Sequence, residues 1–172
     1  QIKDWIIYED KNILIINKPR GVLVQKDDHS KEKALDQMVI EYLMKTSSYD
    51  PQNDMAFKPG PAHRIDRNTS GIVLFGKTHD SLAYLFELFK NHELIGKHYI
   101  SLVCGQVEKD GEVDAPLRKN FDLHKVVVAK VKDGAKEAKT IYHVMETFIV
   151  YTDWIPSRFH PIFLSLRTFV CP

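Results

Sequence analysis

His63-Arg64-Ile65-Asp66-Arg67-Asn68-Thr69-Ser70-Gly71 runs without a break into Ile72-Val73-Leu74-Phe75. The two halves of this stretch obey different rules. Asn68-Thr69-Ser70-Gly71 is turn-forming, because Asn, Thr and Ser side chains bond neighbouring backbone and compete with regular structure. The four residues that follow are a short apolar, β-rich run, the mark of a buried strand. One carboxylate, Asp66, therefore sits between Arg64 and Arg67 on a braced turn feeding the edge of a sheet. Rigid placement of this kind suits an acid or a nucleophile that must meet a substrate in fixed geometry. The same pattern also fits a surface loop with ordinary Arg–Asp pairs, which contribute little to stability.

Working outward, Trp5-Ile6-Ile7-Tyr8 and Ile13-Leu14-Ile15-Ile16 read as strands around the polar turn Glu9-Asp10-Lys11-Asn12. Lys18-Pro19-Arg20-Gly21 breaks the pattern, and Val22-Leu23-Val24 resumes it. Leu35, Met38, Val39, Tyr42 and Leu43 recur at helical spacing, with Ser30 or Asp28 near the start. Residues 47–62 contain three prolines and a glycine and read as a long loop. A second helix is expected after Thr78 or Asp80, with Leu82, Leu85, Phe86 and Phe89 on one side. Tyr99–Val103, ended by Gly105, then Val126–Ala129 and Thr140–Val144, are further strands. Strands interrupted by two helices predict an α+β fold with a mixed, mostly antiparallel central sheet flanked by helices.

The chain has 172 residues, one domain's worth, with 24 basic and 23 acidic side chains. So small a net charge excludes a protein that gathers nucleic acid by its global field, though not one with a local basic patch. Cys104 and Cys171 form no CxxC pair, which argues against a disulfide framework or structural zinc and for a reducing compartment. No apolar run approaches the ~18 residues needed to span a bilayer. His79, His92 and His98 have no ligand spacing to a second histidine or carboxylate and read as surface or cap residues.

Four segments, in order, resemble the RluA-type family of RNA pseudouridine synthases, on its ribosomal large-subunit side. His63 to Gly71 is similar to that family's His-Arg-Leu-Asp-x-x-Thr-Ser-Gly segment, with Ile65 in place of leucine. Ile7 to Asp10, through Asn17-Lys18-Pro19-Arg20-Gly21, resembles its opening hairpin. Lys97-His98-Tyr99-Ile100-Ser101-Leu102-Val103 resembles its Lys-x-Tyr strand, and Val113 to Lys119 with Ala138-Lys139-Thr140 the stretch beyond. The resemblance implies a pseudouridine synthase catalytic fold, Asp66 as the catalytic residue, and no cofactor or metal. It implies that Arg64 holds or replaces an extruded nucleotide, that Tyr99 lines the uridine pocket, and that His63 fixes the Asp66 loop or contacts RNA. Arg67, Lys97 and Lys119 are expected to bind RNA, ribosomal RNA before transfer RNA, in the cytoplasm and away from any membrane. Arg118 to Lys139 carries seven cations against Asp122, Asp133 and Glu137, a phosphate-contacting stripe or a solvated hairpin face. Lys18 is a further candidate phosphate contact.

The tail departs from this pattern. All 18 lysines lie at or before Lys139, and 140–172 holds only two acids, Glu146 and Asp153. The family's Thr-Gly-Arg-Thr-His-Gln-Ile-Arg-type segment, whose arginine pairs with the aspartate and whose strand completes the central sheet, has no counterpart. With no S4-type RNA-binding module read ahead of Gln1, reduced substrate affinity is a further expectation. The expectation is a partial catalytic domain over 1–148 and an atypical tail over 149–172, either truncated or frame-altered, with impaired catalysis. A buried terminal strand pair is the plainer reading of the tail. Two other functions stay open: a non-catalytic RNA-binding module of the same fold, and a hydrolase using Asp66 with His63.

Overall fold

A computed structural model describes residues 1–27, 30–91, 94–104, 107–120 and 125–147, and the backbone of 161–170. The chain divides into two units, Gln1–Leu94 and Ile95–Pro172.

In the first unit a 3-10 turn over Ile2–Trp5 leads into β1 (Ile6–Glu9) and β2 (Ile13–Lys18). Then come α1 (Leu35–Lys45), β3 (Gly60–Pro61), β4 (Gly71–Gly76) and α2 (His79–Lys90). The sheet order is β1-β2-β4-β3, every neighbour antiparallel. Period-2 alternation in β2 puts Leu14, Ile16 and Lys18 on one face, and all three are buried. Val73 and Phe75 of β4 share that face, and α1 covers it with Leu35, Val39 and Leu43 at i, i+4 and i+8. These residues, with Val24, form the core. At the end of β4, Gly76 lies so close to α2 that an added Cβ would stand 2.6 Å from Leu82 Cα.

The second unit contains β5 (His98–Cys104), β6 (Gly111–Asp114), β7 (Leu117–Asn120), β8 (Lys125–Val128), β9 (Ala138–Thr147) and β10 (Pro161–Val170). Its four-stranded sheet has the order β5-β10-β9-β6, again antiparallel throughout, and β7 and β8 form a separate hairpin.

The α+β class and the antiparallel pairing agree with expectation, and several local readings need correction. Val22–Val24 is no strand: it is irregular chain that delivers Val24 to the core and accepts α1's first amides, Leu35 N–H on Leu23 O and Asp36 N–H on Val24 O. Ala34, not Ser30, is the N-cap of α1, and Asp28 lies outside the described residues. Thr78 caps α2, its Oγ1 accepting the Ser81 N–H at 3.2 Å. Phe86, expected on the apolar side of α2, is 44% exposed. The tail's β10 takes an interior place, with Leu164 opposite Ser101 on one side and Val144 on the other. Gly105, His92, residues 121–124 and 148–160 lie outside the described residues.

A candidate active-site turn

The turn that carries Asp66 sits where β2 ends and β4 begins, because Lys18 pairs with Gly71. Ile65 packs against the core, which turns its neighbours Arg64 and Asp66 outward, both exposed. Within the first unit the Asp66 side chain lies at the surface. The Thr69 N–H donates to Asp66 O at 3.1 Å and closes the turn.

A second loop, residues 19–24, braces this turn. The Gly21 N–H donates to Arg67 O at 2.8 Å, and Arg67 Nε donates back to Gly21 O at 2.9 Å. Gly21 has φ +89°, a conformation that side chains with a Cβ rarely adopt. The Arg67 guanidinium also pairs with Glu32. Arg67, expected to bind RNA, is therefore engaged inside the unit, where it clasps two loops.

Beneath the turn lies Lys18, fully buried. Its ammonium donates to Val22 O at 2.8 Å, Pro19 O at 3.1 Å and Arg67 O at 3.3 Å. Burial pulls its pKa below the usual lysine range, and the Asp66 carboxylate offsets part of that effect. Lys18 thus cannot reach a phosphate, which corrects its reading as a surface cation. The signal was present: Lys18 continues the inward series Leu14, Ile16. Its positive charge is what Asp66 meets from below. Among the described residues the Asp66 carboxylate accepts no hydrogen bond.

His63 is half-buried, with its ring stacked on Phe89 at 4.2 Å and 29° and its Nε2 accepting the Leu74 N–H at 3.2 Å. Three predicted site residues, Arg64, Asp66 and Arg67, thus lie on the turn where β2 ends and β4 begins, while His63 packs against Leu74 of β4 and Phe89 of α2. Tyr99 and Lys97, both half-buried, and the exposed Lys119 belong to the second unit.

In the β7–β8 hairpin, the pairs Leu117↔Val128 and Lys119↔Val126 share one face, and Arg118↔Val127 and Asn120↔Lys125 the other. The expected cationic stripe is therefore split between two faces. Val126 and Val128 are 61% and 69% exposed beside Lys119. Lys139 pairs with Glu112 at 2.9 Å, which holds its pKa above the ordinary lysine range. Lys125, Lys130, Lys132 and Lys136 are exposed.

At the far end of β4, a groove lined by Asp10, Asn12, Thr78, Ser81, Tyr84 and Leu85 contains none of the predicted site residues. Its polar walls bond one another: Asp10 accepts the Asn12 and Ile13 amides, and Ser81 Oγ donates to Asn12 O. Among the described residues no group of three His, Cys, Asp or Glu stands where it could hold a metal ion.

Fold and site define an α+β protein that presents a rigidly braced carboxylate at one end of an antiparallel sheet. The solved structure of human RNA pseudouridylate synthase domain containing 4 has the same fold, with a TM-score of 0.69 at 21% identity over 97% of this chain and 59% of that one. The chain belongs to the RNA pseudouridylate synthase family, whose profile matches residues 12–168. It is 32% identical over 149 residues to ribosomal large subunit pseudouridine synthase D of Nitrosomonas europaea, covering 86% of this chain and 40% of that protein. It is 33% identical over 143 residues to tRNA pseudouridine synthase C of Haemophilus ducreyi, covering 80% and 51%. The chain thus spans about half the length of these relatives or less. Among its described residues no helix is long and apolar enough to cross a membrane.

Proposed function

We propose that this protein isomerises uridine to pseudouridine in structured RNA, with Asp66 as the catalytic carboxylate. The observation that carries the reading is the construction of the 63–71 turn: Ile65 anchored inward, Asp66 turned outward, and the buried Lys18 ammonium below. The reaction breaks the bond between N1 of the base and C1′ of the sugar and forms one from C5 to C1′. C5 gives up a proton and N1 gains one. Atoms and electrons balance within the substrate, so the chemistry calls for no oxidant or reductant. A carboxylate serves it either by attacking the sugar or by assisting base departure and proton transfer.

The uridine must leave its stack before it can react. Arg64, exposed two residues before Asp66, has a planar guanidinium that can stack where the base was and still touch a phosphate. Tyr99 offers an aromatic face to the uracil. Lys97, Lys119 and the exposed lysines from Lys125 to Lys136 supply phosphate contacts, and Arg67 acts by holding the turn. Ribosomal RNA is the expected substrate, since the first relative named above acts by its name on the large ribosomal subunit. The two distant cysteines fit a reducing, cytoplasmic setting.

The test is Asp66→Asn against wild type on ribosomal and transfer RNA transcripts, reading pseudouridine by base-specific chemistry. The variant should lose formation by at least about 10³-fold, as expected for loss of an essential catalytic group, and keep its RNA affinity. Equal formation by both proteins refutes Asp66. Binding without formation by either protein favours the alternative, an RNA-binding module, for which the exposed lysines of the second unit suffice.

A further inference from the structure

Four cations sit where the two clasped loops meet at this end of the first sheet: Lys18 and Arg20 on one side, Arg64 and Arg67 on the other. Two of them are consumed inside the fold. The Lys18 ammonium is buried among the carbonyls of Pro19, Val22 and Arg67. The Arg67 guanidinium is held by Gly21 O and Glu32. Arg20 and Arg64 are exposed, and among the described residues neither has a hydrogen bond or ion pair from its side chain. Asp66, exposed on the same turn as Arg64, closes on neither of them. The mounting of Arg20 sets it apart from an ordinary surface arginine. Its main chain is tied on both sides: Pro19 O and Val22 O accept from Lys18, and Gly21 exchanges two hydrogen bonds with Arg67, at 2.8 and 2.9 Å. Arg67 is the residue that follows Asp66, so Arg20 is carried at a set place beside the carboxylate, with little backbone freedom left to lose when it binds.

We propose that Arg20 is a phosphate-binding residue for the RNA strand whose uridine reaches Asp66. A strand that brings a nucleotide to a carboxylate also brings phosphates, and like charges repel. A cation beside the carboxylate, with no partner of its own, offsets that repulsion and fixes where the strand lies. Lys18 and Arg67 are engaged already, and Arg64 has the place of the extruded base to fill. Arg20 is the cation left on these loops, and a guanidinium meets a phosphate through two parallel N–H donors. This assignment rests on the reading of the 63–71 turn given above and adds to it a residue from the opposite loop. It also gives the clasp between Gly21 and Arg67 a second use: the contact that braces the Asp66 turn keeps the phosphate site in register with it.

The experiment measures binding of the full chain to the ribosomal and transfer RNA transcripts by fluorescence anisotropy, between about 0.05 and 0.5 M salt. Arg20→Gln, Arg20→Lys and Lys11→Gln are compared with wild type. Lys11 is exposed in the β1–β2 turn, at the other end of β2. It loses the same charge more than about 15 Å away, beyond the ~8–10 Å over which salt screens. In R20Q the slope of log affinity against log salt should become shallower by about 0.7–0.9, the share of one phosphate. Over the decade from 1 M down to 0.1 M salt that slope amounts to binding about five- to eightfold weaker than wild type. R20K should keep the wild-type slope, since a phosphate accepts a point charge, and K11Q should keep both slope and affinity. Where the chain forms pseudouridine, R20Q should raise KM by the same factor and leave kcat within about twofold, because the contact is made in ground and transition states alike. An R20Q protein that binds as wild type does, a K11Q protein that loses as much, or an R20Q loss accompanied by a lower urea midpoint overturns the proposal. Asp66→Asn should keep the wild-type slope, and Arg20→Gln should lower it equally in that background. A protein that binds through Arg20 yet forms no pseudouridine refutes the catalytic reading alone, and one that forms pseudouridine with Arg20 indifferent refutes this inference alone.

Discussion

Replacing Lys18 by methionine keeps the length of a fully buried side chain and removes its charge. Three carbonyls lose a donor: Val22 O, Pro19 O and Arg67 O. Arg67 O retains the Gly21 amide, so the loss falls mainly on the other two, both in half-buried residues. A hydrogen bond to a charged donor contributes about 1.5–3 kcal/mol, and a buried acceptor left alone costs about 1–3 kcal/mol. Against this, methionine no longer has to carry an ammonium out of water, a real relief, as the depressed pKa of Lys18 shows. The net expectation is a loss of about 2–4 kcal/mol for K18M. Urea unfolding followed by far-UV circular dichroism measures it, and hydrogen exchange at the Gly21 amide locates it. The pH dependence supplies an independent sign. The folded pKa of Lys18 lies below its unfolded value near 10.5, so the unfolded chain binds more protons between the two. Wild-type stability relative to K18M must therefore rise with pH across that window and be level below it. A K18M protein as stable as wild type, or a difference that falls with pH, would refute the reasoning.

Three further outcomes are expected. Asp10 accepts the Ile13 and Asn12 amides, which hold its carboxyl below the ordinary carboxylate range; its contribution is present above pH ~4 and lost as pH falls through its folded value, so D10N should flatten the acid limb of urea stability. Thr78→Ala removes the α2 cap and should cost about 1 kcal/mol in the same assay, with Thr78→Ser close to wild type. Gly76→Ala would press a methyl into the Leu82 backbone and should cost at least about 2 kcal/mol, with Leu82 too close along its main chain to be relieved by a rotamer change.

The elements of the first unit were legible because their signals are local. Leu35, Val39 and Leu43 recur at helical spacing and are buried; Ile72 to Phe75 is strand; Thr78 caps. The outward display of Asp66 also follows from a local rule, with Ile65 apolar between two polar neighbours. The Val22–Val24 segment misled for a matching reason: a β-branched run signals burial, and burial of Val24 was achieved by irregular chain whose carbonyls start α1. The strands β6 and β7 escaped notice because they are short, polar and exposed, and depend on partners distant in sequence.

By itself, then, the sequence determined an α+β chain with a braced polar turn, Asp66 at its centre, and the family to which those motifs belong. Tertiary structure alone decided that Lys18 faces three carbonyls rather than phosphate, that Arg67 clasps Gly21 and Glu32, that the His63 ring completes the edge of β4, and that the tail supplies a strand between β5 and β9. The reason is the same in each case. Periodicity and propensity act over a few residues, whereas these side chains and strands answer backbone groups left unsatisfied by segments up to tens of residues away.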